Sequence, residues 1–255
     1  MPKNINSAFR IYQIMEKARL SDGGKSVHNM WLDVFEIKEG GMKASHGVSE
    51  NLSLVNLEME NVIKMMSEAN FSSDIYRPYF DKLLNVINPQ NLSQQWNQLR
   101  THNLTEATMI VVRYCSEILP NEEDLLSEAE IQELELSVDQ LLEKIKNGSL
   151  PNSLKAIVEK NLKNIKRHLN KYGICGSQVL KDVASEIIPV ILENSQVIKE
   201  NEASEEIGMW EKICKGTSQL YKKAKKGEEV LSTIQKIYSE GKPIIDIAFR
   251  FLSEK

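Results

Sequence analysis

The 255-residue chain has little that would build a sheet, a disulfide framework or a metal centre. Thr and Val are sparse and apolar alternation never persists, which argues against a strand-rich fold. The three cysteines, Cys115, Cys175 and Cys214, are odd in number and far apart, so their thiols are expected to be reduced. The four histidines, His28, His46, His102 and His168, have no Cys, His or carboxylate neighbours at ligand spacing, and no H-E-x-x-H pattern occurs. Neither a metal nor a cofactor is therefore expected. Apolar runs such as Ile187–Leu192 fall far short of the roughly 20 residues that cross a bilayer. No signal-type apolar stretch follows Met1, and the expected location is cytoplasmic.

What the chain does have is helical periodicity. Apolar residues recur at three- and four-residue spacing almost throughout, and 41% hydrophobic residues suffice for one sizeable core or two small ones. The expected class is all-α: a multi-helix bundle or layered array of helical hairpins, with about ten helices and no significant sheet. The pattern places helices near 5–20, 27–37, 50–69, 74–88, 92–101, 105–119, 128–147, 153–172, 178–199, 203–239 and 242–253. Gly40-Gly41 to Gly47 reads as a linker between a small N-terminal helical pair, 1–41, and a main helical domain, 48–255, which divides near 173–177 into 48–172 and 178–255 if it divides at all. Pro189 should kink or split its helix after Ile188, and Gly227 is placed to divide the long segment 203–239.

The best-marked helix opens at Ser127, whose hydroxyl can cap the first turn while Glu130 completes a capping box, and it stops at Gly148. Ile131, Leu134, Val138, Leu141, Leu142 and Ile145 form its apolar stripe, with Leu136 the apolar residue off that stripe. In the helix that follows, Leu154, Ile157, Val158, Leu162, Ile165 and Leu169 occupy one arc, opposite Lys155, Lys160, Lys163, Lys166, Arg167 and Lys171. An earlier pair of helices repeats this apolar pattern at an offset of 82 residues, from Leu54 and Met59 to Leu136 and Leu141. Internal duplication and the coincidence of two amphipathic hairpins both account for it.

Charge divides sharply along the 114–172 segment. Between Tyr114 and Glu143 stand ten acids and no Lys, Arg or His, whereas between Lys144 and Tyr172 stand eight Lys or Arg against the single acid Glu159. Charge so segregated either pairs within the hairpin or is held out for a partner.

Other motifs are weaker. Gly24-Lys25-Ser26 ends like a phosphate-binding loop, but Arg19 stands where the first glycine belongs and a helix precedes it, so a turn with Ser26 as N-cap is expected. Cys175 lies between Gly173 and Gly176 before a helix start, a setting that can activate a thiol, but no base stands beside it and a tight turn is the expected reading. Lys215, Lys222, Lys223, Lys225 and Lys226, with Tyr221 beside them, form a second basic cluster. Lys242 to Lys255 is amphipathic, with Ile244, Ile245, Ile247, Phe249, Phe251 and Leu252 close together. No catalytic constellation is recognisable. The expectation is an interaction protein that uses charged faces of the 128–172 hairpin and the 222–226 cluster toward a protein partner or a copy of itself. The alternatives are a nucleic-acid-associated regulator using the basic faces, and a membrane-acting effector or immunity protein using the C-terminal helix.

Overall fold

The structure, a computed structural model, describes residues 4–124 and 126–224, apart from the Glu128 side chain. Lys225, Lys226, Gly227 and the expected 242–253 helix lie outside the described residues. Helix accounts for 79% of what is described, in twelve α-helices with no strand among the described residues. The all-α class follows directly from the periodicity. The chain forms two compact units, one of Met1–Glu122 with Gly173–Gly176, the other of Glu123–Tyr172 with Ser177–Lys255.

The first unit contains α1 (Ser7–Leu20), α2 (Val27–Val34), α3 (Gly41–Glu68), α4 (Ser73–Ile87), α5 (Trp96–Asn103) and α6 (Glu106–Ile118). Helix α1 packs on α3, α3 on α4, α4 on α6, and α6 back on α1, so the four long helices close a ring. Within it Ile11, Met15, Val55, Met59, Phe80, Leu83 and Val112 are buried. Trp31 of α2 stacks on Phe35 at 5.1 Å. Asn6 caps α1 by accepting from the Phe9 amide, and its own amide group donates to the carbonyls of Ser116, Leu119 and Pro120, which fixes the end of α6 against the start of α1.

The glycine segment expected as a linker is instead the opening of α3. Gly41 takes the left-handed conformation that glycine tolerates, with φ of +63°, and the helix runs on through Gly47. Ala44 and Val48 are buried by this continuation. A Cβ at Gly47 would meet Ile37 Cδ1 at 3.3 Å, so the glycine permits a close approach that the sequence pattern could not reveal.

The second unit holds α7 (Glu128–Asn147), α8 (Asn152–Leu169), α10 (Gln178–Glu193), α11 (Ser195–Glu200) and α12 (Glu205–Ala224). The one-turn helix α9 (Tyr172–Cys175), whose last three residues belong to the first unit, precedes Gly176, whose φ is +60°. A ring closes here too: α7 on α8, α8 on α10, α10 on α12, and α12 on α7. Across it Trp210 Nε1 of α12 donates to Asn161 Oδ1 of α8 at 2.8 Å, both residues being buried. An apolar side chain at 161 would remove this acceptor from the indole N–H, so the bond fixes one alignment of two non-neighbouring helices.

The boundaries of α7 are as expected, with the Ser127–Glu130 capping box formed and Gly148 at the C-cap. Pro189 does not split its helix. Helix α10 passes through it and breaks at Asn194, whose side chain donates to the Val190 carbonyl. Ser185, four residues before Pro189, is exposed, so the carbonyl that loses its donor lies on the watered side. The 82-residue offset pairs the second and third helices of the first ring with the first and second of the other. Tandem copying of a whole ring would instead pair first with first.

Leu141 and Leu162, each fully buried at the centre of its stripe, are the sensitive points of the second unit. Replacing either with Ala is expected to lower the unfolding free energy by about 2 to 5 kcal/mol in chemical denaturation. A change near zero in both would show that these stripes do not hold the ring together.

Candidate interaction face

Helix α8 buries Leu154, Val158, Asn161, Leu162, Ile165 and Leu169. That leaves a solvent arc carrying five Lys or Arg against the single acid Glu159. The structure separates these five cations by what each one touches.

Lys166 points toward α7 and holds Asp139 through both carboxylate oxygens, at 2.5 and 2.7 Å. Lys155 donates to the Lys146 carbonyl at 2.7 Å, satisfying a backbone acceptor at the C-terminal end of α7. Lys163 reaches Glu159 on its own helix at 2.6 Å, with side chains 66% and 40% exposed. Such an exposed pair is screened by solvent and holds the lysine loosely. Lys160 has no hydrogen bond or ion pair among the described residues, and Arg167 bonds only the Asn164 amide oxygen, at 3.0 Å. Both are exposed.

The acidic arm is largely consumed. Glu130 pairs with Lys223 of α12 at 2.6 Å, Glu143 with Lys146 at 2.5 Å, and Asp139 with Lys166; Lys144 in turn holds Glu205 of α12. Glu123 is buried and accepts from the Ser177 amide at 2.5 Å, placing a carboxylate at the N-terminus of α10. The divided charge therefore pairs in part within the second unit and leaves a positive remainder on α8.

The second basic cluster is similarly split. Lys223 is engaged with Glu130, and Lys215 with Glu211 at 3.0 Å, whereas Lys222 has no acidic partner among the described residues. A surface groove of about 530 Å³ runs between α7 and α12 over Leu134, Met209 and Ile213. Its rim balances Glu130 and Glu133 against Lys212 and Lys223, so it offers no net field.

The remaining motifs resolve into local structure. Ser26 caps α2 by accepting from the Asn29 amide at 3.3 Å, and Lys25 pairs with Asp33, so the Lys and the Ser of the Gly-Lys-Ser motif both serve the turn. Burial pushes the Cys115 thiol up to about 11 and raises that of Cys214 as well, which makes both poor nucleophiles. Cys175 is half-buried against the first unit's core. His168 donates from Nδ1 to the Asn164 carbonyl, 2.9 Å away, and lies 3.9 Å from Glu186 of α10. No group of three metal-ligating side chains occurs among the described residues, and none of their helices is long and apolar enough to cross a membrane.

One constellation had no signal in the sequence. Arg10 of α1, nearly buried, binds Glu58 of α3 and Glu122 at 2.8 Å each, and donates from Nε to the Ile174 carbonyl at 3.0 Å. Glu122 also accepts from the Ser7 amide and hydroxyl. Mostly shielded, with the Glu58 and Glu122 side chains 12% and 24% exposed, the group is placed to join segments of the first unit.

Comparison with known proteins returns no matching family, no similar curated protein and no similar solved structure.

The Glu130–Lys223 pair gives a direct test of the electrostatics. Hydrogen bonding to Lys223, then to Ser127, lowers the Glu130 carboxyl to about 2. A depressed folded-state value stabilises the protein above the unfolded value near 4.5, and that stabilisation fades as pH falls from there toward 2. Carbon-detected NMR titration is expected to show a Glu130 midpoint near 2 that rises in Lys223→Met. An unchanged midpoint would mean that Lys223 does not hold this carboxylate in solution.

Proposed function

We propose that the protein is a non-enzymatic, cytoplasmic helical scaffold, adaptor or regulatory subunit that binds another protein through the outer face of α8. One observation carries this reading. Among the described residues Lys160 and Arg167 stand exposed on one stripe without an acidic partner, while Lys144, Lys146, Lys155, Lys163 and Lys166 each hold a bonding partner. Charges held on a rigid helix and left unmatched raise encounter rates with an oppositely charged surface and set its orientation.

The arrangement also selects the variant that tests it. Lys166→Glu would break the bond to Asp139 and confound binding with stability. Lys160→Glu combined with Arg167→Glu touches no internal ion pair, so the unfolding free energy should move by less than about 0.5 kcal/mol per site. Affinity for the native partner is expected to fall, with a shallower salt dependence. Equal affinity in the double variant and the wild type, at both low and moderate salt, would remove α8 as the binding face.

A further inference from the structure

We propose, building on the reading of α8 as the binding face, that its occupant is an acidic polypeptide helix lying along α8, with carboxylates on one stripe at three- and four-residue spacing. Lys160, Lys163 and Arg167 are three and then four residues apart, so they share one side of the helix and span about 10 Å of its axis. A facing helix with the same spacing brings a carboxylate to each cation. Ser153 and Ala156, exposed on the same side near the start of α8, are small and leave room for such a helix to approach.

The edges of the stripe argue for a polypeptide over a continuous polyanion. On the side toward α7 lies Glu159, held loosely by Lys163. On the side toward α10 lies Glu186, 49% exposed, which accepts from the Asn164 amide and faces His168. A nucleic acid strand or an anionic lipid surface would press like charge against both carboxylates. A helix confines its acids to one stripe and can set neutral or basic residues against Glu159 and Glu186.

Helix α7 of a second copy matches the stripe poorly. Glu130, Asp139 and Glu143 of α7 are already committed to lysines, which leaves Glu133 as the exposed acid of that helix without a partner among the described residues. One carboxylate does not satisfy three cations in line.

The test measures binding of the full-length protein at low salt to four probes. They are an alanine-based helical peptide with glutamates at alternating three- and four-residue spacing and lysines on its flanks, a peptide of the same composition with scrambled spacing, single-stranded polyuridylate, and phosphatidylserine vesicles. The striped peptide is expected to bind about tenfold more tightly than the scrambled one and than either polyanion, and to lose about tenfold in Lys160→Glu with Arg167→Glu. Stronger binding to polyuridylate or to vesicles, abolished by the double variant, would overturn the helical partner while leaving α8 as a binding face. Peptide binding indifferent to the double variant would overturn both. Equal binding of the two peptides, or binding to none of the probes, would overturn the proposed spacing. A dimer in sedimentation velocity that dissociates in the double variant would replace the acidic helix with a second copy.

Discussion

The second unit depends on the burial of one apolar arc of α8. Leu154, Val158, Leu162, Ile165 and Leu169 lie along it with 2% exposure or less, between α7 on one side and α10 on the other. Burying a side chain of this size stabilises by about 1.5 to 3 kcal/mol, several times what any surface ion pair contributes. Apolar packing therefore sets the rotation of α8, and the charges follow. Once the arc faces inward, Lys166 is turned toward Asp139, Lys155 toward the end of α7, and the line from Lys160 to Arg167 faces water.

Polar bonds then select among the arrangements that packing would tolerate. The Trp210–Asn161 bond joins the two helices that do not pack directly in the ring, and it is unavailable to a structure in which α12 has slipped along its axis. In the first unit the Arg10 group has the same role. A buried ion group of this kind is weak evidence for net stability, because desolvation offsets much of the attraction, but removing one member strands the others. Glu58 and Glu122 would both lose their guanidinium if Arg10 were replaced.

Much of this was legible in the sequence, and the reason is locality. The capping box at Ser127 and Glu130, the stop at Gly148 and the two apolar stripes depend on residues within a turn or two of each other, so α7 and α8 could be placed to within a few residues. The opening of α3 was not legible, because two glycines resemble a linker until Ile37 is seen packed over Gly47. Nor could the sequence separate Lys166 from Lys160. Their difference rests on partners 27 residues away or more: Asp139 for Lys166, and for the acidic arm Lys223, 93 residues from Glu130. Arg10 lies 112 residues from Glu122, and no local pattern connects them. The candidate face is thus a composite, basic by composition and specific only through long-range pairing.

The central proposal is that the outer stripe of α8 meets the partner. Lysine acetylation read by mass spectrometry, with and without the native partner, tests it most directly. Lys160 and Lys163 should become protected in the complex while Lys146 and Lys212 react at the same rate in both states. Unchanged reactivity at Lys160 and Lys163, with protection elsewhere, would contradict the account.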